Sequence, residues 1–238
     1  CEPIRRNTAP CIAYAAYTLQ KSNPNAKMIV TPSDHLILNE VDFHTIINEC
    51  LEYAESNDAL MTVGIRPSRA ETGYGYIQKS NNDLISRVKC FTEKPHLELA
   101  QTFVECGEFF WNSGIFIWKA ETIRQEMEKH LPEVAGLFSG WENAIGSAAE
   151  GEFISRIYSD CTNISIDYGV MEKTDNVWIC PVSFGWSDIG TWESLYNFVP
   201  YKDDNGNVIT AEKTLTENTR DVLIISPEKK KLIAVKGL

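Results

Sequence analysis

Apolar positions along the chain follow two kinds of pattern. Short continuous apolar runs bounded by turn residues are typical of buried strands, and apolar residues spaced three or four apart are typical of amphipathic helices. The stretch 43–54 has helical spacing, and the run "ALMTVGI" predicts a buried strand that ends before Pro67. Buried strands that alternate with helices predict an α/β domain with a mixed, mostly parallel sheet flanked by helices.

The same patterns predict the other elements and their order. Further helices are predicted at "CIAYAAYTLQ", "HLELAQTFVECG", "AETIRQEMEKH", "SIDYGVMEKTD" and "TWESLYNFV", and more weakly over 133–165. Further strands are predicted at "AKMIV", on both sides of the turn 80–83, at "SGIFIW" and at "NVWICPV". "DVLIISPEKKKLIAV" predicts a hairpin. We therefore expect one domain over residues 1–200, followed by the start of a β-rich segment over residues 201–238.

Composition and charge narrow the class of function. The chain has 238 residues, and 43% of them are hydrophobic, which is ample for a folded core. Its formal net charge of −11 disfavours binding of duplex nucleic acid through counterion release. A phosphorylated ligand would need a local site, together with a metal ion. No apolar run approaches the length of a membrane span, so no membrane partner is expected.

The cysteines indicate a reducing compartment. There are seven of them, an odd number, and no two have the spacing of a C-x-x-C metal or redox motif. Four scattered histidines add no metal-ligand spacing. We therefore expect reduced core thiols in a cytoplasmic protein, without a disulfide framework or a zinc site.

Two aspartates are candidate metal ligands because ligands of such sheets lie beyond the carboxyl ends of the strands. Asp34 follows the strand "MIV", where it is either a turn residue bonded to its own backbone or a ligand of Mg²⁺. Asp188 lies in "FGWSDIGTWESL", where it is either the N-cap of the helix that contains Trp192 or a second ligand. The surrounding aromatic residues and glycines are expected to orient this carboxylate and to exclude water.

Polar groups near other strand ends are candidates for ligand binding. Glu93 and Lys94 in "FTEKP" form either a solvated charge pair or, because successive side chains of a strand point to opposite sides, two separate ligand contacts. Asn112 in "WNSG" lies in a turn or offers its amide to a ligand. Gly75 in "ETGYGYI" belongs to a plain strand or permits close approach of the backbone to a ligand.

The N-terminal stretch "EPIRRNTAP" is a candidate anion site. It places arginine just ahead of a predicted helix N-terminus, where backbone N–H groups favour anions. The sequence contains no G-x-G-x-x-G or Walker motif, and no clustered serine, histidine and acid that would indicate covalent hydrolysis.

Taken together and in order, seven motifs resemble those of the mannose-1-phosphate guanylyltransferases of bacterial type, within the sugar nucleotidyltransferases. They are "EPIRRNTAP", "TPSDHLI", "ETGYGYI", "FTEKP", "WNSGIFIW", "SIDYGVMEK" and "GWSDIGTWESL". The resemblance extends from Glu2 to about Phe198 and continues more loosely to the end. It implies a Rossmann-like, glycosyltransferase-A-like fold, with residues 1–200 as the catalytic domain.

The resemblance also implies an activity and a set of site residues. GTP and mannose 1-phosphate would give GDP-mannose and pyrophosphate with the help of Mg²⁺, through attack of the sugar phosphate on the α-phosphorus. The implied metal ligands are Asp34 and Asp188, and the implied phosphate-contacting residue, counted with them as catalytic, is Lys94. The implied sugar-binding residues are Gly75, Glu93 and Asn112. The implied nucleotide-binding residues are Arg6, Asn7 and Thr8.

The chain departs from the family at its beginning. The family begins with a strand and a glycine-rich loop that binds the triphosphate and part of the base, and no such segment is present here. We therefore expect the fragment alone to be nearly inactive, and the preference for guanine rests on the resemblance. A pyrophosphorylase for another sugar phosphate or nucleotide, and a non-catalytic binding module, both remain open. So does a homodimer that meets through the C-terminal part.

Overall fold

The structure is a computed structural model that describes residues 2–238. The described residues form two compact units: 2–32 with 39–184 make up unit 1, and 33–38 with 185–238 make up unit 2. The boundaries of these units differ from the predicted ones, which were a domain over residues 1–200 and a segment over residues 201–238. The predicted boundaries stay predictions.

Helices form at the predicted places. The helices are α1 (Thr8–Ser22), α2 (Glu40–Asn57), α3 (Leu97–Cys106), α4 (Ala120–His130), α5 (Pro132–Leu137), α6 (Trp141–Ala144), α7 (Glu150–Asp160) and α8 (Trp192–Phe198). The motif "SIDYGVMEK" forms a π-helical turn, Asp167–Met171, and the weakly patterned stretch 133–165 is helical in pieces. Within residues 2–238 no helix has the length and apolar content needed to cross a membrane.

Strands account for the rest of the regular structure. They are β1 (Lys27–Val30), β2 (Leu36–Ile37), β3 (Leu60–Ile65), β4 (Tyr76–Lys79), β5 (Ser86–Thr92), β6 (Phe109–Lys119), β7 (Val177–Val182), β8 (Trp186–Ser187), β9 (Val208–Ile209), β10 (Lys213–Glu217), β11 (Leu223–Ile224) and β12 (Leu232–Lys236). Unit 1 contains β1 and β3–β7, and unit 2 contains the others.

The sheet of unit 1 is mixed, but it is not mostly parallel. Its six strands have the order β1-β6-β3-β7-β5-β4, and β4 also pairs with β6. Among the pairings of the described residues in this sheet, only β3–β7 is parallel. The prediction was wrong on this point because a buried strand has the same apolar pattern whichever way it runs. The predicted mixed α/β class, with helices packed on a sheet, is confirmed.

The core of unit 1 lies between the sheet and its helices. Side chains of α1, α4, α5 and α7 share one buried cluster with residues of β1, β3, β6 and β7. Tyr17 and Phe138 stack within it with ring centroids 4.6 Å apart, and Trp118 of β6 is fully buried. Aromatic residues bury large apolar areas, so this cluster fixes the strands from which the site residues extend.

Strand β6 is longer than predicted. The whole motif "WNSG" lies inside it, whereas the predicted strand "SGIFIW" begins only at Ser113, the third residue of the motif. Gly114 has φ 73°, and the register between β3 and β6 shifts between Thr62 and Gly64. A β-bulge of this kind interrupts the ladder and redirects a side chain. The sequence pattern missed this bulge because Gly114 was placed near the start of a strand. In the structure the glycine allows an irregularity within a longer strand.

The strands of unit 2 form short two-stranded pairs. Strands β2 and β8 pair antiparallel, while β9 pairs with β11 and β10 with β12, both parallel. The predicted hairpin over 221–235 is therefore wrong: its two apolar runs pair with earlier strands instead of with each other. A local apolar–polar–apolar pattern does not show which partner a strand selects.

The cysteines are only partly core residues. Cys50, Cys161 and Cys180 are buried and free, as predicted. The expectation of core thiols was wrong for three others that are exposed and free, namely Cys11, Cys90 and Cys106. Cys1 lies outside the described residues.

Candidate functional site

Three of the predicted site residues come together in unit 1, where β4 lies beside both β5 and β6. Gly75 precedes β4, Glu93 follows β5, and Asn112 lies in β6. The backbone N–H of Asn112 donates to the carbonyl oxygen of Gly75 at 2.8 Å. A Cβ added at Gly75 would overlap Oε2 of Glu93 and lie 3.2 Å from Cβ of Asn112. The position therefore requires glycine because the other two side chains pack against its backbone.

The Glu93 carboxyl group is buried but not fully satisfied. Its side chain is 8% exposed, and no hydrogen bond from residues 2–238 reaches its buried Oε2. Burial, followed by the charge of Asp167, raises the pKa of Glu93 to about 7, although the Lys94 ammonium opposes the shift. Strong pKa shifts caused by burial together with a nearby charge are typical of functional sites.

Lys94 turns back toward Glu93. Its φ of 48° is uncommon for a residue other than glycine, and its N–H donates to the carbonyl of Tyr74 at 3.2 Å. Its Nζ lies 3.2 Å from Oε1 of Glu93, and the Lys94 side chain remains 56% exposed. The expectation that the two side chains point to opposite sides was wrong, because β5 ends at Thr92 and the next residues leave the extended conformation.

Two acidic residues of this site were not assigned from the sequence. Asp167 accepts a hydrogen bond at 2.9 Å from Nδ2 of Asn112, and Oε1 of Glu172 accepts one at 2.7 Å from the N–H of Glu93. Burial raises the pKa of Asp167, while its bond to Asn112 opposes the shift. A signal was present in the sequence, because both acids lie in "SIDYGVMEK", a motif that supported the resemblance. Its residues Asp167–Met171 form a π-helical turn, a rare element that is frequent at functional sites.

The Asn112 amide is held in one orientation. Its Oδ1 accepts hydrogen bonds from the Thr62 hydroxyl and from the N–H of Gly114, both at 3.2 Å. Its Nδ2 donates to Asp167. With both ends of the amide engaged, Asn112 is presented rigidly beside Glu93, as a ligand-binding side chain needs to be.

We expect the stability of the protein to depend on the protonation of Glu93. Its pKa in the folded state is above that of the unfolded chain, so the contribution is fully present below pH 4.5 and is lost as the pH rises through about 7. Glu93→Gln removes the ionisation, so the variant should melt at a higher temperature than the wild type at pH 8 and at nearly the same temperature at pH 4.5.

Thermal unfolding across this pH range, monitored by circular dichroism, measures the effect. Glu98→Gln is the matched control, because it makes the same chemical change in the first turn of α3. A difference between wild type and Glu93→Gln that stays constant from pH 4.5 to 8 would show that Glu93 ionises normally.

The two candidate metal ligands both lie in unit 2. The pairing of β2 with β8 places Leu36 opposite Ser187. Asp34 lies two residues before Leu36 and Asp188 directly follows Ser187, so the antiparallel register brings both aspartates to the same end of this ribbon. The structure thus accounts for the approach of two residues that are far apart in sequence.

The alternative role of Asp188 as a helix cap is wrong. Thr191 is the N-cap of α8, and its hydroxyl accepts the N–H of Ser194 at 3.0 Å. Asp188 is half-buried, and a Cβ added at Gly190 would lie 2.7 Å from its Oδ2, so the glycine makes room for the carboxylate. Trp192 is 74% exposed, so the expectation that it excludes water from the carboxylate was wrong for this residue.

The donor set suits a hard divalent cation. Within residues 2–238 no group of three or more His, Cys, Asp or Glu side chains is arranged to hold a metal. Mg²⁺, however, is usually bound by one or two carboxylates, with waters and substrate phosphates as its other ligands. The pair Asp34 and Asp188 fits that requirement. The alternative for Asp34, a turn residue, is compatible with the same position, which is exposed.

The three predicted nucleotide-binding residues already have partners within unit 1. The Arg6 guanidinium donates to the carbonyl oxygens of Tyr158 and Ser159 near the end of α7. Asn7 caps α1, and the Thr8 hydroxyl accepts the N–H of Ile166 at 2.8 Å. The contact between Thr8 and Ile166 fixes the residue just before Asp167, so residues 6–8 help to position the site. Contact of these residues with a nucleotide stays a prediction.

Comparison with known proteins assigns this chain to a family. The profile described as "Nucleotidyl transferase" matches residues 1–204. The chain belongs to the nucleotidyl transferase family. The mannose-1-phosphate guanylyltransferase of Escherichia coli is 38% identical over 222 residues, which are 89% of this chain and 47% of that protein. The predicted resemblance is thereby confirmed.

Other relatives agree with this assignment. A mannose-1-phosphate guanylyltransferase of Klebsiella pneumoniae is 36% identical over all of this chain and 50% of its own length, and the alginate biosynthesis protein AlgA of Pseudomonas putida is 36% identical over all of this chain and 49% of its own. The chain thus spans about half the length of the curated relatives it matches. A crystal structure described as mannose-1-phosphate geranyltransferase from Thermus thermophilus matches 99% of this chain and 68% of its own, with a TM-score of 0.85 and 27% identity.

Proposed function

We propose that the protein containing this chain transfers a guanylyl group from GTP to α-D-mannose 1-phosphate, giving GDP-mannose and pyrophosphate. The observation that carries the proposal is the cluster of Gly75, Glu93 and Asn112 in unit 1, with the Lys94 ammonium beside it. It combines carboxyl and amide groups suited to sugar hydroxyls with a cation suited to phosphate. The names of the relatives support the choice of substrates.

Sugar recognition follows from the unsatisfied groups of this cluster. Oε2 of Glu93 is buried and accepts no hydrogen bond within residues 2–238, so a sugar hydroxyl that donates to it restores a bond that burial removed. Asn112 is fixed by Asp167, and the absence of a side chain at Gly75 leaves room for the Glu93 carboxyl group beside the backbone that is proposed to contact the sugar. A site built in this way discriminates strongly against sugars that lack the matching hydroxyl.

Phosphate contact is assigned to Lys94. Its ammonium is largely exposed, and its Nζ is 3.2 Å from Glu93, so one residue pair would hold the sugar and its phosphate together. Holding the attacking phosphate oxygen in line with the phosphorus is the main contribution that a protein makes to such a transfer.

Asp34 and Asp188 are proposed to bind Mg²⁺ through their carboxylates. When bound, the ion would neutralise charge on the nucleotide phosphates and polarise the reacting one. Arg6, Asn7 and Thr8 are proposed to approach the nucleotide from the start of α1. A homodimer and a cytoplasmic location stay predictions, as does the assignment to polysaccharide precursor synthesis suggested by the alginate relative.

A substrate assay of the full-length protein tests the proposal. GTP, ATP, UTP and dTTP would each be combined with mannose 1-phosphate and glucose 1-phosphate in the presence of MgCl₂, with release of pyrophosphate as the signal. We expect the highest kcat/KM for GTP with mannose 1-phosphate. Faster turnover of dTTP with glucose 1-phosphate would replace the proposed substrates, and binding without turnover of any pair would favour a non-catalytic module.

A further inference from the structure

A cavity in unit 1 carries positive charge that the proposed reaction does not use. A cavity of about 390 Å³ lies where the β4–β5 hairpin meets the ends of β3 and α3. Its walls include Arg66, Lys79 and Lys89, together with the ring of Phe110. Cavities of 300–1,000 Å³ are typical of small-molecule sites. The volume is therefore large enough for a phosphorylated metabolite.

We call this cavity the cationic pocket, and in the part of the chain that the structure describes its three cations, Arg66, Lys79 and Lys89, form no ion pair with a carboxylate. Eight ion pairs occur within residues 2–238, and none of them includes Arg66, Lys79 or Lys89. Arg66 donates to the carbonyl of Gly107 at 3.3 Å and Lys79 to that of Asp83 at 2.6 Å, which leaves most of their donors unused. In a chain with a net charge of −11, unpaired cations that converge on one cavity indicate an anion site.

Two of these cations, Arg66 and Lys79, contact the same aromatic ring. The Arg66 guanidinium carbon is 5.1 Å from the centroid of the Phe110 ring, and Nζ of Lys79 is 6.0 Å from it. Cation–π contacts of this kind contribute about 0.5–1 kcal/mol at exposed sites, while two like charges on one ring repel each other. A bound anion would relieve that repulsion.

The strand geometry directs a third cation to the same place. Gln78 pairs with Cys90 and Lys79 with Val88, so Lys89 is the extra residue of a β-bulge. Bulges redirect side chains and are frequent beside binding sites. The acid that also lines the cavity, Glu108, accepts a hydrogen bond at 2.6 Å from Gln78 and forms no ion pair with a described cation.

Polar groups beside the cations indicate what else the ligand carries. Ser80 and Asn82 line the same cavity, and a hydroxyl and an amide are side-chain groups that can both donate and accept hydrogen bonds. We propose that the cationic pocket binds a phosphate monoester attached to a hydroxylated ring, with the phosphate at Arg66, Lys79 and Lys89 and ring hydroxyls at Ser80 and Asn82. A hexose phosphate and a nucleoside monophosphate share this chemistry.

The position of the pocket suggests a connection to the transfer site. Gly75 directly precedes β4 and Lys79 is the last residue of that strand, four residues or about 13 Å away. Strand β5 likewise leads from Lys89 to Glu93. One hairpin therefore forms part of both sites, and a ligand that orders it at the pocket would act on Glu93 through the same strands.

Isothermal titration calorimetry of the full-length protein tests the proposal with three probes: glucose 6-phosphate, AMP and inorganic phosphate. We expect glucose 6-phosphate or AMP to bind at least tenfold more tightly than inorganic phosphate, and the better of the two identifies the ligand class. The double variant Lys79→Gln/Lys89→Gln should raise the Kd of that probe at least tenfold. The control Lys229→Gln/Lys230→Gln, which removes the same charge from exposed positions, should leave it unchanged.

A further variant separates this pocket from the transfer site. Lys94→Gln should leave the Kd of the probe within twofold of the wild-type value, whatever it does to turnover. The proposal is overturned if no probe binds, if inorganic phosphate binds as tightly as the others, if the two double variants behave alike, or if Lys94→Gln abolishes binding. None of these results depends on which substrates the transfer reaction uses.

Discussion

Replacing Asp188 by Asn in the full-length protein is expected to lower kcat by at least about 100-fold while leaving the melting temperature almost unchanged. The amide keeps the shape of the side chain but removes the negative charge that a divalent cation requires. Metal ions supply several kcal/mol of charge stabilisation to such transfers, and each 1.36 kcal/mol corresponds to a tenfold change in rate. The loss should be partly reversed by raising the MgCl₂ concentration, which a titration of initial rates would measure.

Thr191→Ala is the matched control for this experiment. Thr191 caps α8 through the N–H of Ser194, so its loss should lower the free energy of unfolding by about 0.5–2 kcal/mol. Turnover of the folded fraction should stay close to the wild-type value. The assignment of Asp188 as a metal ligand would be contradicted if Asp188→Asn kept wild-type turnover, or if it behaved like Thr191→Ala.

Adding a single methyl group at Gly75 is expected to reduce kcat/KM for mannose 1-phosphate by at least about 100-fold. The new Cβ would overlap Oε2 of Glu93 and press on Asn112, so the carboxyl group must leave the position proposed for sugar binding. Displacements of about 1 Å at reacting groups can cost about 100-fold in rate. Because sugar binding is affected most directly, KM for mannose 1-phosphate should rise while KM for GTP changes little, as steady-state kinetics with each substrate varied would show.

Gly151→Ala provides the comparison. Gly151 lies in α7, and an added Cβ would meet no atom within 4 Å. The variant should retain full activity, and the better helix propensity of alanine should stabilise it by up to about 1 kcal/mol. Wild-type kinetics in Gly75→Ala would refute the role of the Gly75, Glu93 and Asn112 cluster. An equal rise of both KM values would place the disturbance elsewhere.

Several features of the site could be read from local sequence because they depend on neighbours along the chain. The helix predicted at "CIAYAAYTLQ" and the helical spacing of 43–54 are local, and both stretches lie in helices of the structure, α1 and α2. The ordered motifs identified the family, and the profile match over residues 1–204 agrees. What failed was partner choice: the direction of the strands in the sheet and the hairpin over 221–235.

The sequence by itself determined the mixed α/β class, the family, and the residues at which chemistry was to be sought, since helix periodicity, turn residues and motifs are written along the chain. Only the tertiary structure decided that Glu93 is buried against Gly75 with a pKa near 7, that Asp167 and Glu172 support it, and that Asp34 and Asp188 reach one end of a strand pair. The physical reason is that burial, electrostatic shifts and strand partners depend on groups far apart in sequence, which folding alone brings within a few ångströms.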